Sequence, residues 1–212
     1  MKPPFLLRKL FRSLVWNIPT KDLVLFLTFD DGPIPEVTPA VLAILKKYNA
    51  KATFFCIGEN VKTHPEIFRQ VINDSHAIGN HTFNHLNGWK TNTHKYLDNI
   101  KECDEVFKSE IRNPKSEIKF FRTPYGKITL KQYSAIRKHY SIIMWDVLSQ
   151  DWKDNLTAED CFEMVKRKSK PGSIIVFHDS TKAVRRMLPA LEKTLEYFSK
   201  KGFHFECLPC TA

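Results

Sequence analysis

The sequence predicts an α/β fold whose parallel strands curl toward a barrel. Three observations predict it. Apolar runs of strand length alternate with amphipathic helical segments along the chain, the pattern of a parallel sheet. Polar residues recur just past the ends of those runs: Asp30-Asp31, Arg122, Asp146 and His178. In a barrel of parallel strands such positions gather at the C-terminal face, where this architecture places its sites. Third, an open doubly wound sheet that binds dinucleotides would carry a glycine-rich phosphate turn after its first strand, and Asp30-Asp31-Gly32-Pro33 is not one.

The elements follow in order. Leu23–Phe29 is an apolar strand. Thr38–Tyr48 reads as a helix, with Val41, Leu42 and Leu45 at helical spacing and Pro39 allowed in the first turn. Ala52–Ile57 is a second apolar strand, ended by Gly58. Pro65–Ile72 is a short helix, and His76–Gly79 an extended piece leading into His81. Lys95–Phe107 is a helix with Leu97, Ile100, Cys103 and Phe107 on one face. Phe120–Phe121 is a brief strand, Leu130–Lys138 a helix and Ser141–Trp145 a strand. Ala158–Lys168 is a helix, Pro171-Gly172 turns the chain into strand Ile174–Phe177, and Val184–Ser199 and Phe203–Cys207 are the last helix and strand.

At 212 residues and 42% hydrophobic content the chain suits one domain with a sizeable core. The division expected is an amphipathic segment over residues 1–20 and a catalytic domain over 21–212. The formal net charge is +10. Such a balance fits an anionic glycan or a membrane face, or is a solvated lysine-rich surface. No nucleic-acid-binding signature accompanies it, so no nucleic-acid partner is expected. Five cysteines form no regular framework. Cys56 reads as a small core residue, and Cys207-Leu208-Pro209-Cys210 has redox spacing but not the strand-to-helix setting of a redox motif.

Residues 5–16 place Leu6, Leu7, Leu10, Phe11, Leu14 and Val15 on one helical face and Arg8, Lys9 and Arg12 on the other. That helix either docks on the domain or lies on a membrane surface as a peripheral contact. Charges interrupt the stretch and no cleavage site is clear, so no signal peptide is read, and the expected location is cytoplasmic or membrane-associated.

The chemistry-bearing motifs sit at strand ends. Thr28-Phe29-Asp30-Asp31-Gly32-Pro33 closes the first strand with adjacent carboxylates. Neighbours on an extended backbone point to opposite sides, so one aspartate can hold a metal while the other takes a proton. His81 and His85, four apart, would face one way on a helical turn. With one carboxylate they form a two-histidine, one-carboxylate set for a divalent metal. Zinc is the default, and cobalt, nickel or manganese suit the same donors. Downstream lie Arg122-Thr123-Pro124-Tyr125, Asp151-Trp152 and His178-Asp179. Asp146 would cap or pair with an arginine, and Asp179 would support the site from behind. Trp89, soon after His85, either stacks on a sugar ring or packs.

These motifs, in this order, resemble the polysaccharide deacetylases, the NodB-like enzymes of carbohydrate esterase family 4. The likeness runs from about Leu23 to Cys207. It implies an irregular (β/α) barrel of about seven parallel strands that hydrolyses acetyl groups on sugar polymers. By this resemblance Asp31, His81 and His85 are the metal ligands and Asp30 the general base, fixed by a bidentate contact from Arg122. The backbone N–H of Tyr125 joins the metal as an oxyanion hole. His178 is the general acid, held by Asp151, and Trp152 and Val176 line the slot for the acetyl methyl. The segment before Asp151 departs from the family pattern, which puts the support of His178 in question. The expected partner is an acetylated glycan of peptidoglycan, chitin or lipid-linked type. An O-acetyl esterase on xylan-type glycan and a catalytically silent glycan-binding relative are the alternatives.

Overall fold

The computed structural model describes residues 13–111 and 118–209. Nine strands and seven helices make up the described part. The strands are β1 (Leu14–Val15), β2 (Val24–Asp30), β3 (Ala52–Cys56), β4 (Ala77–Asn80), β5 (Phe120–Phe121), β6 (Ser141–Ile143), β7 (Val147–Leu148), β8 (Ile174–His178) and β9 (His204–Phe205). The helices are α1 (Val37–Lys47), α2 (Gly58–Thr63), α3 (Pro65–Asn73), α4 (Thr93–Glu110), α5 (Leu130–Ile136), α6 (Ala158–Lys168) and α7 (Val184–Lys200).

The sheet runs β1-β6-β5-β4-β3-β2-β8-β7, with β9 added to β2, and the paired strands are parallel. It curls as the barrel expectation requires. The chain leaving β1 reaches the start of β8, where Asn17 bridges Ser173 and Ile18 N–H donates to Gly172 O. A Cβ on Gly172 would lie 1.8 Å from the Ile18 carbonyl oxygen, and its φ is +80°, so glycine is required on both counts.

Strand periodicity explains how a buried sheet carries a polar site. Along β2, Leu25, Leu27 and Phe29 face the helices and join the main core with Val41, Leu45 and Leu191. Val24 and Phe26 face inward with Phe55, Phe120, Ile143 and Ile174 and plug the lower barrel. The same inward column continues upward as Thr28 and Asp30. Neighbouring columns do likewise: Ile174, Val176 and His178 on β8, Phe120 and then Arg122 on β5. On β4 the column includes Gly79, where a Cβ would lie 2.5 Å from the Phe55 ring, and leads to His81. Each fully buried Phe or Leu of the two apolar layers stabilises the fold by roughly 1.5–3 kcal/mol, which holds the polar tops of the columns in place.

Three details differ from the sequence reading. Leu14 and Val15, read as the end of an amphipathic helix, form β1 and pair with Ile142 and Ile143. Residues 1–12, the rest of that helical face, lie outside the described residues, as does Cys210. Helix α2 and strand β7 fall on stretches to which the sequence reading assigns no element. No helix among the described residues is long and apolar enough to cross a membrane.

Candidate active site

A cavity of about 600 Å³ opens at the C-terminal ends of β2, β4, β5, β7 and β8. Asp30, Asp31, His81, His85, Tyr125 and His178 line it, together with Trp152 and Val176. The structure therefore brings together residues as distant in the chain as Asp30 and His178.

Asp30 ends β2 and is buried. Asp31 leaves the extended conformation with φ 87°. This break in the strand is why both carboxylates reach one cavity, although neighbours on a strand would point apart. Gly32 N–H donates to Asp179 Oδ1 (3.0 Å) and Thr38 Oγ1 donates to Asp179 Oδ2 (2.6 Å). Asp179 thus holds the turn from behind, and burial pushes its pKa up to about 8.

His81 and His85 do not sit on a helical turn. They belong to an irregular loop in which Thr82 (φ 65°) and His85 (φ 55°) take left-handed backbone conformations. Side chains from α4 and β4 impose that path. Asn99 Oδ1 accepts from Phe83 N–H (2.9 Å) and Asn84 N–H (3.2 Å), and Asn80 Oδ1 accepts from Thr82 N–H (2.8 Å). Asn80 Nδ2 in turn donates to Asp104 Oδ1 (2.7 Å), whose other oxygen accepts from the Tyr140 hydroxyl.

The two imidazoles converge on Asp31. His81 Nε2 lies 3.8 Å and His85 Nε2 3.4 Å from Asp31 Oδ1, and all three donor atoms lie within 4.8 Å of one another. His81 Nδ1 faces the Arg122 carbonyl oxygen at 2.9 Å, so Nδ1–H donates there and Nε2 keeps its lone pair for the cavity. Burial lowers the pKa of both histidines to about 3, which keeps them neutral and able to ligate. Asp31 Oδ1 is buried without a hydrogen-bond partner. An orphaned carboxylate oxygen between two neutral imidazole nitrogens fits a divalent cation, since tetrahedral ligands at about 2.1 Å stand about 3.4 Å apart. Burial also raises the Asp31 pKa to about 6, a cost that a cation would remove.

Arg122 is completely buried and holds Asp30 through one nitrogen only. Nη1 donates to Asp30 Oδ1 (2.6 Å) and Thr28 Oγ1 (2.7 Å). Nε and Nη2 donate to the carbonyls of Ile143 (3.2 Å) and Met144 (3.0 Å). The expected bidentate contact is thus absent, because two backbone carbonyls of the β6 end compete for the guanidinium. Its Cζ also lies 4.0 Å from the Phe55 ring centroid.

His178 ends β8, with Nδ1 2.8 Å from Asp151 Oδ1, while its backbone N–H donates to Asp151 Oδ2 (2.8 Å). Burial opposes charge on this imidazole, but attraction to Asp151, the hydrogen bond between them and the fields of Asp30 and Asp31 outweigh it and raise the pKa to about 9. Arg186, unnoticed in the sequence, steadies the Asp151 turn through Nε to the Asp151 carbonyl (2.7 Å). The support of His178 is therefore intact despite the altered segment before Asp151. Trp152 packs edge-on against His178, ring centroids 4.7 Å apart. Trp145 and Leu148 join Trp152 and Val176 around the apolar part of the cavity.

Other expectations resolve simply. Among the described residues Asp146 pairs with no arginine: it accepts from Ser173 Oγ (3.0 Å) and Ile174 N–H (2.9 Å) and braces the start of β8. Trp89 is not in the cavity wall. It stands outside, 66% exposed, with Nε1–H donating to the Ile128 carbonyl (3.1 Å).

Comparison with known proteins identifies the family. The sequence profile of the polysaccharide deacetylase family matches residues 17–140. A peptidoglycan-N-acetylglucosamine deacetylase of Bacillus cereus is 38% identical over 185 residues, covering 86% of this chain and 66% of that protein. A chitooligosaccharide deacetylase of Azorhizobium caulinodans is 34% identical over 207 residues, covering 87% of this chain and 92% of the relative. Among solved structures, a peptidoglycan N-acetylglucosamine deacetylase crystallised with an N-hydroxybenzamide superposes with a TM-score of 0.88 at 33% identity, over 97% of this chain and 95% of the other. The chain belongs to the polysaccharide deacetylase family, carbohydrate esterase family 4, and is an enzyme of the hydrolase class.

Proposed function

We propose that this enzyme removes N-acetyl groups from N-acetylglucosamine residues of a glycan, using water. The observation that carries the reading is the placement of Asp30 and His178 beside the Asp31-His81-His85 donor set in one cavity. Asp31, His81 and His85 would hold a divalent metal, with zinc favoured by two imidazoles and one carboxylate. Bound there, the metal supplies a positive charge of the kind that acidifies water and polarises a carbonyl.

The protein's own residues do the remaining work. Asp30 Oδ takes the proton from the attacking water, and Arg122 keeps that carboxylate aimed into the cavity. The backbone N–H of Tyr125 donates to the oxygen that gains charge on the acetyl carbon. His178 Nε2 then gives its proton to the departing sugar nitrogen, and Asp151 keeps the imidazole charged and oriented until it does. Trp152 and Val176, which line the cavity, receive the acetyl methyl. The similarity to deacetylases of both peptidoglycan and chitooligosaccharide supports a polymer or oligomer of N-acetylglucosamine as substrate.

The test is to incubate zinc-loaded protein with chitotetraose and measure acetate and free amine together. Equal amounts of both support the reading. Acetate release from acetylated xylan but not from chitotetraose or peptidoglycan would replace it with the O-acetyl esterase reading.

A further inference from the structure

Two features at the mouth of the cavity are unused by the mechanism. The first is exposed apolar side chains. Among the described residues the large exposed hydrophobic side chains are Leu23, Trp89, Tyr125 and Leu130; Trp89 and Tyr125 sit on the segments that follow β4 and β5, and Leu130 opens α5. The second is charge. Lys127 and Lys182 line the cavity on opposite flanks of β2, one beyond β5 and the other beyond β8. Neither forms an ion pair among the described residues. The cavity's two carboxylates are already engaged, Asp30 by Arg122 and Asp31 in the donor set.

Trp89 and Lys127 form one construction. The Lys127 ammonium stands 5.3 Å from the Trp89 ring centroid. The loops that carry them are locked together. Buried Gln132 donates through Nε2 to the carbonyls of Gly88 (2.9 Å) and Thr91 (3.0 Å), and the Trp89 indole N–H is tied to Ile128. A Cβ on Gly88 would lie 2.4 Å from the Lys127 carbonyl oxygen, so residue 88 is packed directly against that loop. An indole that is two-thirds exposed while its N–H is satisfied offers a flat apolar surface at little ordering cost, and a pyranose ring presents a matching C–H face. The ammonium over the ring adds a partner for an anion.

Resting on the deacetylase reading above, we infer that Trp89 and Lys127 form a subsite for a carboxylate-bearing sugar next to the N-acetylglucosamine being deacetylated. The enzyme thereby prefers a glycan with acidic sugars over a neutral one. The carboxylate pairs with Lys127 while the ring covers Trp89.

The test uses the peptide-free peptidoglycan tetrasaccharide with its lactyl carboxylates free or converted to neutral amides, and chitotetraose as a third substrate. Wild-type kcat/KM is expected to be higher on the free acid than on the amide, by about tenfold at low salt for one or two partly exposed charge contacts. That ratio shrinks toward one as ionic strength rises and the Debye length falls below about 8 Å. Lys127→Gln should remove most of the preference, and Trp89→Ala should raise KM on both tetrasaccharides more than it lowers kcat. Lys182→Gln removes the same charge from the opposite flank and should keep most of the preference. Equal wild-type rates on acid and amide would overturn the inference, as would equal loss of preference in Lys127→Gln and Lys182→Gln, which would mark a general field rather than a subsite. Activity on chitotetraose in those cases leaves the deacetylase reading standing. Inactivity on all three substrates would overturn both.

Discussion

Asp30 and His178 are register partners on neighbouring parallel strands, the last residues of β2 and β8. Being directly paired, they project to the same side of the sheet, into the barrel. A carboxylate held by Arg122 and an imidazole held by Asp151 therefore reach the cavity from adjacent columns. The separation of the proposed proton acceptor from the proposed proton donor is set by strand pairing, not by loops.

Asp30→Asn keeps an acceptor oxygen for Arg122 but removes the charge and with it the proposed base. Turnover should fall by about 10²–10⁴-fold while metal content stays unchanged. Leaving Arg122 buried without its counter-charge should also cost about 3–5 kcal/mol of stability, read by chemical denaturation. Unchanged turnover would remove Asp30 from the base role.

His178 must carry a proton to act as acid, and its pKa is raised to about 9. The rate kcat/KM should therefore hold through neutral pH and decline as pH rises through about 9. Asp151→Asn deletes the largest influence that raises this pKa, so burial then dominates and the declining limb should move below neutrality. Turnover at pH 8 should fall by about 10²-fold. Folding stability follows the same sign. A raised imidazole pKa stabilises fully below its unfolded value of 6.5, and that contribution is lost as pH rises toward about 9. Denaturation curves for Asp151→Asn should lack this alkaline decline.

Asn99 orders the histidine loop without touching a ligand. Asn99→Ala leaves two backbone N–H groups of that loop without their acceptor. Affinity for zinc should drop by about 10–100-fold, measured by competition with a chelator, and stability by about 2 kcal/mol. An unaltered affinity would show that the loop holds its shape by other contacts.

Gly32→Ala would put a Cβ 2.0 Å from Asp179 Oδ2. The turn carrying Asp31 must then shift or Asp179 must rotate away. Loss of both metal affinity and thermal stability is expected, and a soluble variant with wild-type zinc binding would contradict the tight packing.

Much of this site was legible because its residues fall at strand ends, where composition changes abruptly. Asp30-Asp31, Arg122 and His178 each follow an apolar run, and a parallel sheet brings such ends together. The contacts that shape the site were less visible because they span the chain. Thr38 meets Asp179 across 141 positions, and Asn99 folds a loop 15 and 16 residues away from it. Nothing in the four-residue spacing of His81 and His85 reveals that an irregular loop, not a helix, aligns them. The single-nitrogen hold of Arg122 on Asp30 depends on the carbonyls of Ile143 and Met144, whose positions only the curl of the sheet determines.

The most direct test of the account is metal-dependent acetate release. Protein stripped with a chelator is compared with protein refilled with zinc, cobalt or nickel, on chitotetraose and on peptidoglycan, alongside Asp31→Ala. The account predicts no acetate from stripped protein, recovery with added metal, and neither metal binding nor activity in Asp31→Ala. Full activity after stripping, or stoichiometric metal binding in Asp31→Ala, would contradict it.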